Sequence, residues 1–124
     1  MKFGICYCYR SKDWEGTDYP QTIARARKCG FDWLEIFYGR LLDMAQTEVD
    51  EIKASRKEYD VELYCCGGFD KEHDLTQKDP AARAHAIEKA KEIIKAASRV
   101  GSRNFSGINY SQWCNFDNPL DKEE

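Results

Sequence analysis

At 124 residues the chain has the length of one domain, and its composition, 42% hydrophobic and 33% charged, is that of a folded rather than a disordered protein. The net charge of −3, with the two signs interleaved, argues against a nucleic-acid partner, because such proteins carry a basic patch. No apolar run reaches the roughly 20 residues that a membrane span needs. The first residues have the pattern of a strand rather than a signal peptide, so we predict a cytoplasmic protein with no membrane partner.

Strand-like apolar runs alternate with helical patterns along the chain. The first run, residues 2–9, is rich in aromatic and β-branched residues and has few charges, as in a strand covered on both faces. Such alternation is typical of βαβ units and a parallel sheet, so we predict a single α/β domain over residues 1–124. The predicted strands lie near residues 2–9, 31–37, 61–66 and 103–108, and the predicted helices near residues 19–29, 48–59 and 80–100.

Three helices are indicated by capping residues and by apolar residues at helical spacing. The predicted N-caps are Thr17 or Asp18 before Pro20, Thr47 in a short capping box with Asp50, and Asp79 before Pro80. The predicted buried faces are Ile23, Ala26 and Cys29 in the first helix, Val49, Ile52 and Tyr59 in the second, and Ile87, Ala90, Ile94 and Ala97 in the third. Gly30 and Gly101 follow the first and third helices as C-terminal stop residues.

The third predicted strand runs into a glycine pair, Gly67 and Gly68, which most simply marks a tight turn. A phosphate-binding loop is the sharper alternative, but the sequence has neither a G-x-G-x-x-G nor a Walker pattern. The fourth predicted strand has no helix after it, which would leave apolar surface of a parallel sheet uncovered. The sequence therefore predicts half of a larger fold.

Six cysteines raise the question of disulfides or metal. Without a secretory signal, free buried thiols are the expected state. A zinc site built from Cys6, Cys8, Cys66 and a histidine lacks the usual ligand spacing, since there is no C-x-x-C motif. No neighbouring positive charge would lower the pKa of Cys6 or Cys66, which argues against a catalytic nucleophile.

Several polar residues have both a functional and an ordinary interpretation. Glu35, inside a predicted buried strand, must be paired or protonated. It either forms an internal ion pair or orients neighbouring polar groups. His85 is predicted to lie on the helix surface. The loop residues Asp70, Glu72, His73 and Asp74 resemble a metal cluster in composition, but such a loop is usually just solvated.

Five segments, in order along the whole chain, resemble the D-tagatose/D-psicose 3-epimerase family of xylose-isomerase-like sugar isomerases and epimerases. They are MKFGICYCY at the amino end, GFDWLEI at residues 30–36, the glycine pair, DPAARAHAIE at residues 79–88, and SGINYSQW at residues 106–113 with PLDKE after it. The resemblance implies half of a (βα)8 TIM-like barrel, with four parallel strands and three intervening helices. Those four strands would be the first four of the barrel.

The resemblance also implies a reaction, the metal-dependent epimerisation at C3 of a free ketose such as D-tagatose, D-psicose or D-fructose. In the family, Mn²⁺ or Mg²⁺ polarises the ketose carbonyl while two carboxylates exchange the C3 proton. The family's metal ligands, two Glu, one Asp and one His, belong to later strands and have no counterpart here. We therefore assign no catalytic and no metal-binding residue, and expect the chain alone to bind no metal and to be inactive.

What the first half of such a barrel would supply is a sugar-binding wall at the carboxyl ends of its strands. Carried over by position, the substrate-binding residues are Cys6, Trp14, Cys66, Ile108 and Trp113. Many relatives have an aromatic residue at the position of Cys6, a difference that bears on which ketose is preferred. The expected partners are a ketose and either the missing half-barrel or a second copy of the chain in a homo-oligomer.

Two alternatives come from other functional classes. The chain could be a non-catalytic sugar-binding or assembly module, which would bind a ketose without metal and never convert it. It could also be a cysteine-based metal or redox module. Metal analysis and thiol titration would distinguish this module from the epimerase and the sugar-binding hypotheses.

Overall fold

The computed structural model describes residues 1–9 and 18–114, and in that part of the chain strands and helices alternate. The order is β1 (Gly4–Cys6), a 3-10 turn (Tyr7–Tyr9), α1 (Tyr19–Lys28), β2 (Trp33–Phe37), α2 (Tyr38–Leu42), α3 (Gln46–Tyr59), β3 (Glu62–Phe69), α4 (Pro80–Arg99) and β4 (Phe105–Gln112). None of the described helices is long and apolar enough to cross a membrane.

The four strands form one parallel sheet in the order β1-β2-β3-β4. The prediction of four parallel strands with helices between them is confirmed. The short helix α2 was not predicted, since it lies between the predicted strand at residues 31–37 and the predicted helix at residues 48–59. Consecutive strands are neighbours, as in the wall of a barrel, and β1 and β4 form the two edges of the sheet.

The hydrophobic core lies between one face of the sheet and the helices. Alternate strand residues point into it, and the residues between them point to the opposite face. The core-facing residues of the two central strands are Leu34 and Ile36 in β2 and Leu63 and Cys65 in β3, all at most 1% exposed. The helices cover them with Ile23 and Ala26 from α1, Val49 and Ile52 from α3, and Ala96 and Ala97 from α4.

Each strand begins one or two residues later than predicted, and three of the four strands end elsewhere than predicted. β1 ends at Cys6, where the chain turns into the 3-10 segment. β3 continues to Phe69, so Gly67 and Gly68 lie inside a strand, and both the turn and the phosphate-loop interpretations are wrong. β4 runs to Gln112, four residues beyond the predicted end.

Two of the three helix caps are as predicted. The Asp18 carboxylate accepts a hydrogen bond from the Gln21 amide, and the Asp79 carboxylate accepts from the amides of Ala81 and Ala82. The prediction for α3 is wrong, because that helix begins after Ala45. There the Glu48 side chain accepts from the Ala45 amide at 3.1 Å. Gly30 and Gly101 take positive φ angles, 87° and 79°, after their helices.

The buried face of α4 differs from the predicted one at the two isoleucines, while Ala97 is buried as predicted. Ile87 and Ile94 are 42% and 56% exposed, while Ile93 is fully buried. The residues that this helix buries are Ala86, Ile93, Ala96 and Ala97. The expectation of buried cysteines is also wrong for Cys29 and Cys114, which are exposed, and all six thiols are free.

Candidate functional site

The face of the sheet opposite the helices carries a polar side chain from each of the four strands. Cys6 of β1 is the register partner of Glu35 of β2, and Cys66 of β3 is the partner of Ser106 of β4. All four are half-buried. Because side chains alternate across a strand, these residues point away from the core-facing residues next to them in sequence. The sheet therefore carries one polar group from each strand on a single face.

Three of these groups form a compact cluster. The Sγ atoms of Cys6 and Cys66 and a carboxylate oxygen of Glu35 all lie within 4.8 Å of one another. The Ser106 hydroxyl donates a hydrogen bond to Glu35 Oε1 at 2.9 Å, which fixes the direction of the carboxylate. Cys8 extends the cluster, with its Sγ 3.1 Å from that of Cys6. We call Cys6, Glu35 and Cys66 the thiol–carboxylate cluster.

The thiols of this cluster are neutral at physiological pH. Burial, together with the hydrogen bond to Cys8, raises the pKa of Cys6 to about 12. Burial also raises the pKa of Cys66, and the nearby Glu35 carboxylate adds to the effect because it repels a second negative charge. A neutral thiol is a poor nucleophile, so the cluster is not suited to covalent catalysis.

The glycine pair of β3 makes room for two aromatic side chains. A Cβ atom on Gly67 would overlap the ring of Tyr38, whose hydroxyl donates to the Gly68 carbonyl at 2.9 Å. A Cβ atom on Gly68 would lie 3.1 Å from Cβ of Trp113. The two glycines therefore allow aromatic side chains to pack closely against β3, and Gly68 is the one that contacts Trp113.

The remaining residues of the predicted wall lie near this glycine pair or outside the described chain. Ile108 is the register partner of Gly68 and is half-buried. The Trp113 amide donates to the Phe69 carbonyl at 2.8 Å, and 48% of the residue is exposed. Trp14 belongs to residues 10–17, which the structure does not describe. Thus the Sγ atoms of Cys6 and Cys66 lie within 4.8 Å of each other, while Ile108 and Trp113 are both neighbours of Gly68.

The hydrogen bond between Ser106 and Glu35 was not predicted from the sequence. Of the two roles that the sequence left open for Glu35, the structure shows a hydrogen bond to a neighbouring polar group. Ser106 lies two residues before Ile108 in the same strand, so the period-two alternation places it on the same face. That alternation was the available signal, but the partner strand and register are set by the fold.

The acidic loop after β3 uses its carboxylates on its own backbone. Asp70 Oδ1 accepts from the amides of Glu72 and His73 and lies 2.7 Å from His73 Nδ1. Asp74 Oδ1 accepts from both the amide and the hydroxyl of Thr76. Such bonds stabilise turns, and the only compact group of possible metal ligands in the described residues is the thiol–carboxylate cluster. His85 is exposed on α4, as predicted.

A comparison with protein families decides what this architecture belongs to. The sequence profile described as xylose isomerase-like TIM barrel matches residues 23–117, well over half of the chain. The chain belongs to the xylose isomerase-like TIM barrel family. The resemblance found in the sequence is thereby confirmed at the level of the family.

Individual members of the xylose isomerase-like family extend the match to nearly the whole chain. A D-psicose 3-epimerase from Ruminiclostridium cellulolyticum is 30% identical over 124 residues, which are 99% of this chain and 42% of the relative. A crystal structure of D-psicose 3-epimerase with D-tagatose from Clostridium cellulolyticum H10 has 30% identity and a TM-score of 0.88. Another, of D-psicose 3-epimerase in the presence of D-fructose, has 25% identity and a TM-score of 0.89.

Both crystal structures match 99% of this chain but only 43% of their own length. The chain thus spans less than half the length of the xylose isomerase-like relatives that it matches. In those barrels the matched part is consistent with a half-barrel, as the sequence predicted.

Proposed function

We propose that this chain supplies the sugar-binding wall of a ketose 3-epimerase barrel. The observation that carries the proposal is the thiol–carboxylate cluster on the face away from the helices, with Trp113 packed against Gly68 just past the carboxyl end of β4. Active sites of TIM barrels lie at the carboxyl ends of the strands. The relatives' activity on ketoses supports D-psicose, D-tagatose or D-fructose as the sugar class.

Each group of the wall has a chemical role in this proposal. Glu35, oriented by Ser106, accepts a hydrogen bond from a sugar hydroxyl, which a carboxylate does well. The neutral thiols of Cys6 and Cys66 leave space and present a weakly polar surface. The exposed face of Trp113 packs against sugar C–H groups and supplies contact area with a defined orientation.

The Mn²⁺ or Mg²⁺ ion that the resemblance to ketose 3-epimerases implies does not fit the described residues. Mn²⁺ and Mg²⁺ prefer oxygen ligands, and the described chain offers two thiols with a single carboxylate in its one compact group. When bound in an intact barrel, such an ion supplies polarisation of the ketose carbonyl. We derive no catalytic step for this chain, and propose that catalysis needs residues from the missing half-barrel or from a second copy.

We also propose a cytoplasmic location. The support is that all six thiols are free, which suits a reducing compartment.

Sugar binding can be tested without catalysis. The chain is titrated with D-psicose, D-tagatose and D-fructose in the presence of a chelator, and tryptophan fluorescence is recorded. We expect saturable binding, and about tenfold weaker binding for Trp113→Ala, which corresponds to about 1.4 kcal/mol of lost aromatic contact. Trp33→Phe is the matched control, because Trp33 begins β2 and packs against Tyr64 with ring centroids 4.9 Å apart.

Two results would overturn the proposal. One is the absence of saturable binding of any ketose by the wild-type chain. The other is equal weakening by Trp113→Ala and Trp33→Phe, which would mean that the fluorescence reports general loosening of the fold. In a parallel assay, ketose epimerisation by the chain alone with added Mn²⁺ would contradict the need for a missing half.

A further inference from the structure

The thiol–carboxylate cluster draws its three members from three adjacent strands. Cys6 ends β1 and is the register partner of Glu35, while Cys66 is the partner of Phe37 two residues further along β2. Their donor atoms are held within 4.8 Å of one another by backbone pairing rather than by a flexible loop. Ser106, from the fourth strand, holds one carboxylate oxygen at 2.9 Å. Because the sheet fixes these possible metal-ligand atoms in place, the cluster is preorganised for binding an ion.

The spacing of the three donors suits a tetrahedral ion. With a Zn–S distance of about 2.3 Å, two thiolates on one tetrahedral zinc stand about 3.8 Å apart. Donors within 4.8 Å therefore need to approach by no more than about 1 Å, which small side-chain rotations provide. Two sulfur ligands favour a thiophilic ion such as Zn²⁺ over Mg²⁺ or Mn²⁺.

We propose that Cys6, Glu35 and Cys66 bind one Zn²⁺ per chain, with a fourth position left open. The two thiols, which are neutral in the zinc-free chain, lose their protons to solvent as the ion binds and coordinate as thiolates. The ion would tie β1, β2 and β3 together on the face that the helices leave uncovered. This departs from the expectation, drawn from the sequence, that the chain binds no metal. The zinc set considered there needed a histidine, whereas the fold supplies Glu35. The inference does not rest on the proposed function, since no sugar is involved.

The test uses the full chain, reduced and stripped of metal by a chelator that is then removed. Zn²⁺ is added, unbound ion is removed by gel filtration, and bound zinc is counted by mass spectrometry. We expect one ion per wild-type chain and a rise in the melting temperature, because an ion that binds the folded state stabilises it. Co²⁺ serves as the spectroscopic probe, since thiolate ligands give it a near-ultraviolet charge-transfer band.

Conservative variants separate this site from adventitious binding. Cys66→Ser and Cys6→Ser are each expected to lower the charge-transfer band by about half, because one thiolate ligand remains, and to weaken zinc binding at least tenfold. Glu35→Gln is expected to weaken zinc about tenfold while retaining the band. The matched control is the double variant Cys29→Ser with Cys114→Ser, which removes two exposed thiols and should change neither result. Far-ultraviolet circular dichroism checks that each variant is folded, and Glu35→Gln keeps the test decisive if a cysteine variant is not.

The proposal is overturned if zinc remains with the double variant Cys6→Ser with Cys66→Ser, or if it is lost with the exposed thiols. It is also overturned if Glu35→Gln binds zinc as tightly as the wild type, or if wild-type chain retains no zinc after gel filtration. None of these readouts depends on sugar, so failure here leaves the sugar-binding proposal standing, and failure of sugar binding leaves the zinc site standing.

Discussion

At the scale of single residues, backbone contact between β3 and β4 depends on a glycine. Gly107 has a φ of +105°, and a Cβ atom there would overlap the carbonyl oxygen of its register partner Gly67. Gly30 also has a positive φ, 87°, but a Cβ there meets nothing within 4 Å. Substitutions at these two glycines therefore distinguish the cost of backbone strain alone from the cost of strain combined with steric overlap.

We expect Gly107→Ala to lower the free energy of unfolding by about 3 kcal/mol, since strain and overlap act together. Gly30→Ala should cost about 1 kcal/mol, because only the left-handed conformation opposes it. Urea denaturation of both variants beside the wild type measures the difference. Equal losses would show that the close approach of the two strands is not what requires glycine.

At the scale of the helix, α4 offers a direct test of which face is buried. Ile93 is fully buried in the core, and its neighbour Ile94 is 56% exposed. We expect Ile93→Ala to lower the free energy of unfolding by about 3 kcal/mol, through lost burial and the cavity left behind. Ile94→Ala, the matched control, should change it by no more than about 0.5 kcal/mol. Thermal and urea denaturation of both variants measure the two losses. A larger loss for Ile94→Ala than for Ile93→Ala would support the buried face that was predicted from the sequence.

This same helix shows why some elements could be predicted and others could not. Asp79 was identified as a cap, and Asp18 as one of two candidates with Thr17, because capping depends on residues within one turn of each other. The face of α4 was misassigned because Ile93 and Ile94 are adjacent and equally apolar. Nothing in the sequence ranks one above the other, and only the packing of the helix against the sheet decides between them.

The true end of strand β3 and the existence of the thiol–carboxylate cluster were not predicted from the sequence, for a related reason. The glycine pair was interpreted as a turn because glycine is common in turns, whereas here it accommodates the ring of Tyr38 and the side chain of Trp113. The cluster depends on register, and Cys6, Glu35 and Cys66 are about 30 residues apart in sequence. Parallel pairing over such separations has no local signal.

At the scale of the whole molecule, the sheet formed by the described residues has its edges at β1 and β4, and the described helices pack against one of its faces. Large apolar side chains are exposed near these edges, with Phe3 at 58% and Tyr110 at 69%. Unpaired strand edges bind other strands, so a chain with this structure has a tendency to associate. The relatives that match it are more than twice its length, which fits an architecture that needs further strands beside β4.

We therefore predict that the purified 124-residue chain self-associates in a concentration-dependent way through its strand edges. Ile108→Lys places a charge on β4, at the register partner of Gly68, and is expected to shift the population toward monomer by at least tenfold in dissociation constant. Ile94→Lys is the matched control, since it places the same charge on an exposed isoleucine of the helical layer. Sedimentation velocity over a hundredfold range of concentration measures both variants. A wild-type chain that is monomeric throughout, or an assembly that only Ile94→Lys dissolves, would show that the open strand edges are not what drives association.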